Sequence, residues 1–296
     1  MSLGIALWQE YAIRKKHVGK QPFFLSSIRL LIREIKDGVV LRIGVLSGFL
    51  LSGMDRIFVK TLMDTNAFAL YSFAATVENL LSVMITPVTT TMYNFFCDKP
   101  DSKLIIKIRN VIIIASLGIL IVFFPVKIVL SLFIRNYLGA LIVLAILFAS
   151  KSLYMVIQGV YVNLYKARKM QNTYLIKLLV VIAIGLVSNY VLYLFWSLKE
   201  SFAIATLITS IIWMILSAQD FKDVSFAIKE IIYYSLGLAA FLICACLLNA
   251  IVGMVVYILF LILLTRTMMQ TELKILISYV CKKLKRQKAD ELIRNE

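Results

Sequence analysis

The chain has 296 residues, 61% of them hydrophobic and 16% charged, with 12 Gly and 4 Pro, and its mean hydropathy is +0.90. That balance excludes a water-soluble domain and a fibrous protein and leaves a membrane protein. The net charge of +16, from 32 Lys and Arg against 16 Asp and Glu, then finds its counter-charge in anionic membrane lipid at about 1 kcal/mol per basic residue. Nucleic acid is not expected as a partner.

In chain order, Met1–Trp8 is too short for a secretory h-region and lacks a small-residue cleavage pattern. The opening MSLGIALWQEYAIRKK reads as the last turns of an earlier span stopped by a basic cluster, or as a short interfacial anchor. Residues 23–36 put Phe24, Ile28, Leu31 and Ile35 on one helical face and Arg29, Arg33 and Lys36 on the other, an amphipathic helix lying on the membrane surface. Eight apolar stretches follow, at 38–62, 67–97, 110–132, 138–165, 174–197, 201–219, 231–248 and 250–269. Each is near or above the roughly 20 residues that cross a bilayer, and in lipid each has to be a helix. The expected fold is an all-α, polytopic bundle of about eight transmembrane helices. A segment 1–37 leads into a six-span lobe at 38–219, two further spans follow at 220–269, and 270–296 is a basic tail.

The polar breaks alternate in charge. Breaks 1–37, 98–109, 166–173, 220–230 and 270–296, with Arg266 beside the last, carry 24 of the 32 basic residues, whereas the opposite breaks carry only Arg135 and Lys199. The positive-inside rule places both termini in the cytoplasm, which suits a multi-pass protein of the cell's cytoplasmic (inner) membrane. The six remaining cations, Arg42, Arg56, Lys60, Lys127, Lys151 and Lys177, fall inside spans.

Polar residues that line water or substrate recur at spacings of 3 or 4 within a helix. In the second span Asn79, Ser82, Thr86, Thr90 and Tyr93 do so, with Glu78, Thr89 and Asn94 beside them and Pro87 inside. The face runs for about 20 Å; a hydrated cavity wall and a helix interface both fit it, and Pro87 fits a hinge or a static kink. The fourth span carries Lys151, Tyr154, Gln158, Tyr161 and Tyr165 on one face. Lys151 is the deepest cation of the chain, and a charge at that depth costs roughly 2.5–3.5 kcal/mol unless it meets a partner or water. Glu78, at similar depth, is the obvious partner, and such a pair would be either a closed structural bridge or part of a binding site. The tyrosine rings suit sugar contact or helix packing. Arg42, Arg56 and Lys60 share one side of the first span; they point to a common cavity, or snorkel to headgroups at opposite ends. Asp55 faces elsewhere and is expected to neutralise a local cation or cap a break.

Other chemistry is absent from the sequence. There is no Gly-rich phosphate loop and no HExxH, and His17 is the sole histidine. Cys97, Cys244, Cys246 and Cys281 form no CxxC pair, so neither a metal nor a cofactor is expected, and small buried hydrophobes is the reading for all four. Nor is an enzyme expected, because the outer breaks are too short for a catalytic loop.

The stretch LSGMDRIFVKTLMDTNAFALYSFAATVENLLSVMITPVTTTMYNFF (51–96) resembles the start of the C-terminal lobe of polysaccharide biosynthesis flippases, at Asp55, Arg56, Tyr71, Ala74 and Pro87. Ser152–Lys166, then Asn189, Tyr190 and Leu192, then SFAIATLITS (201–210) with Ala205 and Thr206, are similar to the later spans of that family. The resemblance covers roughly 38–215 and is to O-antigen (Wzx-type) members of the multidrug/oligosaccharidyl-lipid/polysaccharide exporter superfamily. It implies a two-lobe transporter that flips undecaprenyl-pyrophosphate-linked oligosaccharide across the membrane for O-antigen, lipopolysaccharide or capsule synthesis. It also implies that the eight spans match only the second lobe plus two extra helices, so an N-terminal lobe would lie elsewhere. It further implies a cationic cavity facing the anionic pyrophosphate, for which Arg42, Arg56, Lys60 and Lys151 are the local candidates; the polar stripes add Glu78, Asn79, Tyr154 and Gln158 as cavity candidates. Competing expectations are a drug or cation exporter of the same superfamily, a membrane glycan polymerase or acyltransferase, and an inactive truncated remnant.

Overall fold

The computed structural model describes residues 50–272 other than 52 and 99. Among them there is no strand. Helix α1 covers residues 53–62, and it is followed by α2 (Thr65–Cys97), α3 (Ser102–Phe133), α4 (Arg135–Ala167), α5 (Gln171–Phe195), α6 (Lys199–Asp220), α7 (Ile228–Leu247) and α8 (Ala250–Met268). Helices α2 to α8 are each long and apolar enough to cross a membrane. The expected all-α, polytopic bundle is therefore the observed fold. The amphipathic segment 23–36, Arg42 and most of the basic tail lie outside the described residues.

Local sequence sets the helix ends. Asp64 separates α1 from α2 and its side chain accepts a hydrogen bond from the Ala67 amide at 3.1 Å, an N-cap. Pro125 has no N–H to donate, and the turn just before it, Leu120–Val122, tightens to a 3-10 helix inside α3. At the end of α4 the amide of Met170 reaches back to the Tyr165 carbonyl at 2.8 Å and that of Lys169 to Lys166 at 3.2 Å. Lys169 sits between them at φ 57°, the left-handed residue of a Schellman ending.

The third expected span, 110–132, begins eight residues early. Arg109 does not terminate the helix because it is fully buried and ion-paired with Glu230 at the start of α7. Its guanidinium also donates to the carbonyls of Val224 (2.6 Å) and Ser225 (2.8 Å) and lies 4.4 Å from the Phe226 ring. A charge with that many partners can continue a helix inward where a lone one could not.

Helix α4 is the hub. Its most apolar window is 83% buried, against 22–44% in the other spanning helices. α2, α3, α6 and α7 all pack on it, α5 leans on α6, and α8 closes against α7 and α3. The centre is aromatic: Phe123, Phe124, Phe148, Phe241 and Tyr257 meet at centroid separations of 5.5–6.2 Å, mostly edge to face. At one end of the bundle lie the turns 98–101, 168–170 and 221–227, and at the other 63–64, 134, 196–198 and 248–249. The former is called the basic end below.

Candidate functional site

The six cations assigned to spans resolve one by one, Arg42 lying outside the described residues. Lys177 pairs with Asp220 at 3.1 Å, joining α5 to α6. Lys127 donates to the carbonyls of Ala245 (2.7 Å) and Leu248 (2.8 Å), capping the C-terminus of α7 where orphan carbonyls and the helix dipole favour a cation. Lys60 is exposed at the end away from the basic turns and joins no cluster among the described residues. Arg56 turns inward instead and donates from Nη2 to the Ala75 carbonyl at 3.1 Å, while its buried Nε has no partner among the described residues.

Lys151 and Glu78 do meet. Nζ lies 2.8 Å from Oε1, with side chains 9% and 14% exposed, and each residue is near the midpoint of a 33-residue helix. The Lys151 ammonium also lies 5.0 Å from the Tyr154 ring, which packs edge-on against Trp213 of α6. Thus α2, α4 and α6 together hold one ion pair near mid-membrane. Two of its neighbours on α2, Tyr71 and Ala75, repeat at helical spacing with Glu78 and build a second polar group. The Tyr71 hydroxyl donates to Asp55 Oδ2 at 2.7 Å and the Arg56 amide to Oδ1 at 2.8 Å. Among the described residues Asp55 forms no salt bridge and caps no break, the roles its place in the sequence suggested; it is 4% exposed and held by neutral donors. On the facing helices, Ser150 meets Ser210 at 2.8 Å and Thr206 bonds the Phe202 carbonyl at 3.1 Å.

The stripe of α2 faces the other way. Asn79, Thr86, Thr90 and Tyr93 are exposed on the surface of the chain, centred about 90° around the helix from the buried Tyr71, Leu81 and Ile85 face. Threonine hydroxyls 86, 89, 90 and 91 each bond a carbonyl of their own helix, at 2.7 to 3.0 Å. Their hydrogens are thereby satisfied, while their oxygens keep acceptor capacity toward the outside. Glu78 lies on the buried face, among Tyr71, Ala74, Ala75, Leu81 and Ile85, about a quarter-turn from this stripe.

The tyrosine stripe of α4 divides. Tyr154 belongs to the ion-pair site and Gln158 is half-buried, but Tyr161 and Tyr165 are at most 1% exposed and stack into Phe221 at 6.1 and 4.7 Å. Those two are core, unavailable to a sugar. The division has a backbone cause: Ile157–Val162 is a π-helix, whose extra residue re-aims every later side chain of α4, and such bulges recur at functional sites. Just beyond it Asn163 crosses to α2 and donates to the Thr89 carbonyl at 2.7 Å, tying the segment after Pro87 to the hub. The cysteines also divide, Cys244 being buried and Cys97 and Cys246 exposed rather than buried. Among the described residues no group of three His, Cys, Asp or Glu could hold a metal ion.

The Asp55–Tyr71 bond and the Arg109–Glu230 pair escaped the sequence reading. The sequence pattern places Arg109 in the basic break 98–109; Glu230, near the helix boundary at the same end of the bundle, is the signal for its partner. Comparison with protein-family models, curated proteins and solved structures found no match for this chain.

Proposed function

We propose that this chain takes part in translocating a lipid-linked oligosaccharide, undecaprenyl-pyrophosphate-linked, across the cytoplasmic membrane, as one lobe of a two-lobe transporter. The observation that supports this reading is the Lys151–Glu78 pair, nearly buried near the midpoint of two spanning helices, one of which carries an exposed polar stripe on another face. Polar side chains turned toward lipid are costly, so the stripe of α2 calls for a second lobe or water against it. The pyrophosphate then competes with Glu78 for the Lys151 ammonium; once displaced, Glu78 takes up a proton, which couples substrate entry to proton binding. Alternating access follows from rocking of the lobes about this site, with the basic end in the cytoplasm.

The test separates transport from mere packing. Lys151→Ala and Glu78→Gln, made in the cell that carries the chain, lower surface glycan without lowering protein in the membrane. The double replacement Lys151→Met with Glu78→Leu fills the same space with apolar atoms, an exchange that proteins tolerate or even gain from. Under the proposal it keeps the protein at its normal level in the membrane and still does not support export. Normal glycan export by the double variant would show the pair to be structural only.

A further inference from the structure

Helices α6 and α7 both lean on α4 but do not pack side by side. Between them opens a cleft of about 570 Å³, within the roughly 300–1,000 Å³ of small-ligand sites. Its walls are apolar: Met214 and Ile215 from α6, Ile231 and Leu238 from α7, with Leu153 of α4 as the floor. The Tyr234 hydroxyl in that floor is satisfied by Ser152 at 2.9 Å, so it offers no unmet polar group to a ligand. Apart from Ser235 on the α7 wall, the remaining polar lining residues, Gln219, Lys222 and Ser225, stand at one end, at the basic turns.

Dimensions and charge point to one occupant. From Lys222 up α6 to Ile211, the deepest lining residue on that helix, is about 16 Å of rise, half of a hydrocarbon core of about 30 Å. A cleft running from headgroup level to the midplane matches a chain of one leaflet. The three carboxylates in and beside the adjoining turn are each already neutralised by a cation from another part of the fold: Asp220 by Lys177, Asp223 by Arg168 and Glu230 by Arg109. Lys222 makes no ion pair among the described residues, so a positive charge is left at the polar mouth of an apolar slot. We propose that the α6–α7 cleft binds an anionic bilayer phospholipid, one acyl chain lying along Leu153 and Leu238 and its phosphate on Lys222.

The purified full chain is exposed in detergent to phosphatidylglycerol or phosphatidylcholine of equal chain length, and retained lipid is counted by native mass spectrometry. The wild type keeps one phosphatidylglycerol in preference to phosphatidylcholine. Lys222→Glu, an exposed change that leaves packing intact, lowers that retention about fivefold or more, and Ala218→Trp, which fills the cleft, abolishes retention of both lipids. Equal phosphatidylglycerol retention by wild type and Lys222→Glu overturns the proposal, since Lys222→Glu needs no repacking to fold. So does a preference for a prenyl phosphate over phosphatidylglycerol, which would give the cleft to a carrier lipid.

Discussion

At the scale of single residues, the most deeply buried carboxylates and cations of this chain are each tied to defined partners. Asp55 shows the neutral solution: a carboxylate 4% exposed that relies on the Tyr71 hydroxyl and a backbone amide. Tyr71→Phe removes the donor and leaves a buried acceptor short of one bond, at a cost of about 1–3 kcal/mol; unfolding in a denaturing-detergent titration reads it, and an unshifted midpoint would mean that water takes the place of the hydroxyl. Arg109 shows the charged solution. Breaking it from one side, by Glu230→Gln or Arg109→Met alone, costs about 3–5 kcal/mol, whereas Arg109→Met with Glu230→Leu costs less than either single change. A double variant as unstable as the sum of the singles would contradict that account. Partners of this kind are the part least legible in sequence, because residues 109 and 230 meet only through the fold. Lys151 and Glu78 were legible because each is a rare charge at a depth where lipid forces it to pair.

At the scale of helices, the sequence announces apolar length well and backbone irregularity poorly. Seven of the eight expected spans appear as spanning helices, the third of the eight beginning eight residues early, while most of 38–62 lies outside the described residues; yet nothing in the run Ile157–Val162 marks a π-helix. That choice depends on packing around Gly159 and the Asn163 cross-bond rather than on propensity. The left-handed Lys169 is likewise invisible locally, since Gly is the usual residue there. Lys169→Gly relieves the strain and raises stability by up to about 1 kcal/mol, whereas Lys169→Val lowers it; thermal unfolding in detergent distinguishes the two. Close helix approach gives a further check. A Cβ on Gly253 would stand 2.8 Å from the Cys244 carbonyl oxygen, which belongs to a helix backbone and cannot step aside. Gly253→Ala therefore parts α7 from α8 and costs about 1–3 kcal/mol, while Gly118→Ala, whose Cβ meets nothing within 4 Å, does not destabilise. Equal losses from both would refute the steric argument.

At the scale of the whole molecule, charge that looked like lipid anchoring is partly internal wiring. Arg109 and Arg168, both counted in the basic breaks, serve the turn between α6 and α7, so the positive asymmetry of the breaks overstates how much charge faces the leaflet. The outermost of these contacts is also acid-sensitive. Hydrogen bonding from the Arg168 guanidinium holds the Asp223 carboxyl below the usual carboxylate range. A depressed value in the fold means that the contact stabilises fully above the unfolded value of about 3.9 and is lost as pH falls through the lower folded value. Both side chains are more than a third exposed, so the effect is under about 1 kcal/mol. Between about pH 5 and pH 2 the wild type should lose its advantage over Asp223→Asn, as read by paired unfolding titrations. A constant difference across that range would exclude Asp223 as its source.

The buried Arg109 also constrains how the chain is made. Its partner Glu230 lies 121 residues further on, and at about 5–20 residues per second a ribosome needs about 6–24 s to reach it. For that interval the guanidinium has neither that carboxylate nor the Val224 and Ser225 carbonyls to meet, and its partners are water and lipid headgroups. The polar cluster around Arg109 is thus completed only from the C-terminal half of the chain, and a nascent chain halted before residue 220 should leave Arg109 open to water where the finished chain buries it.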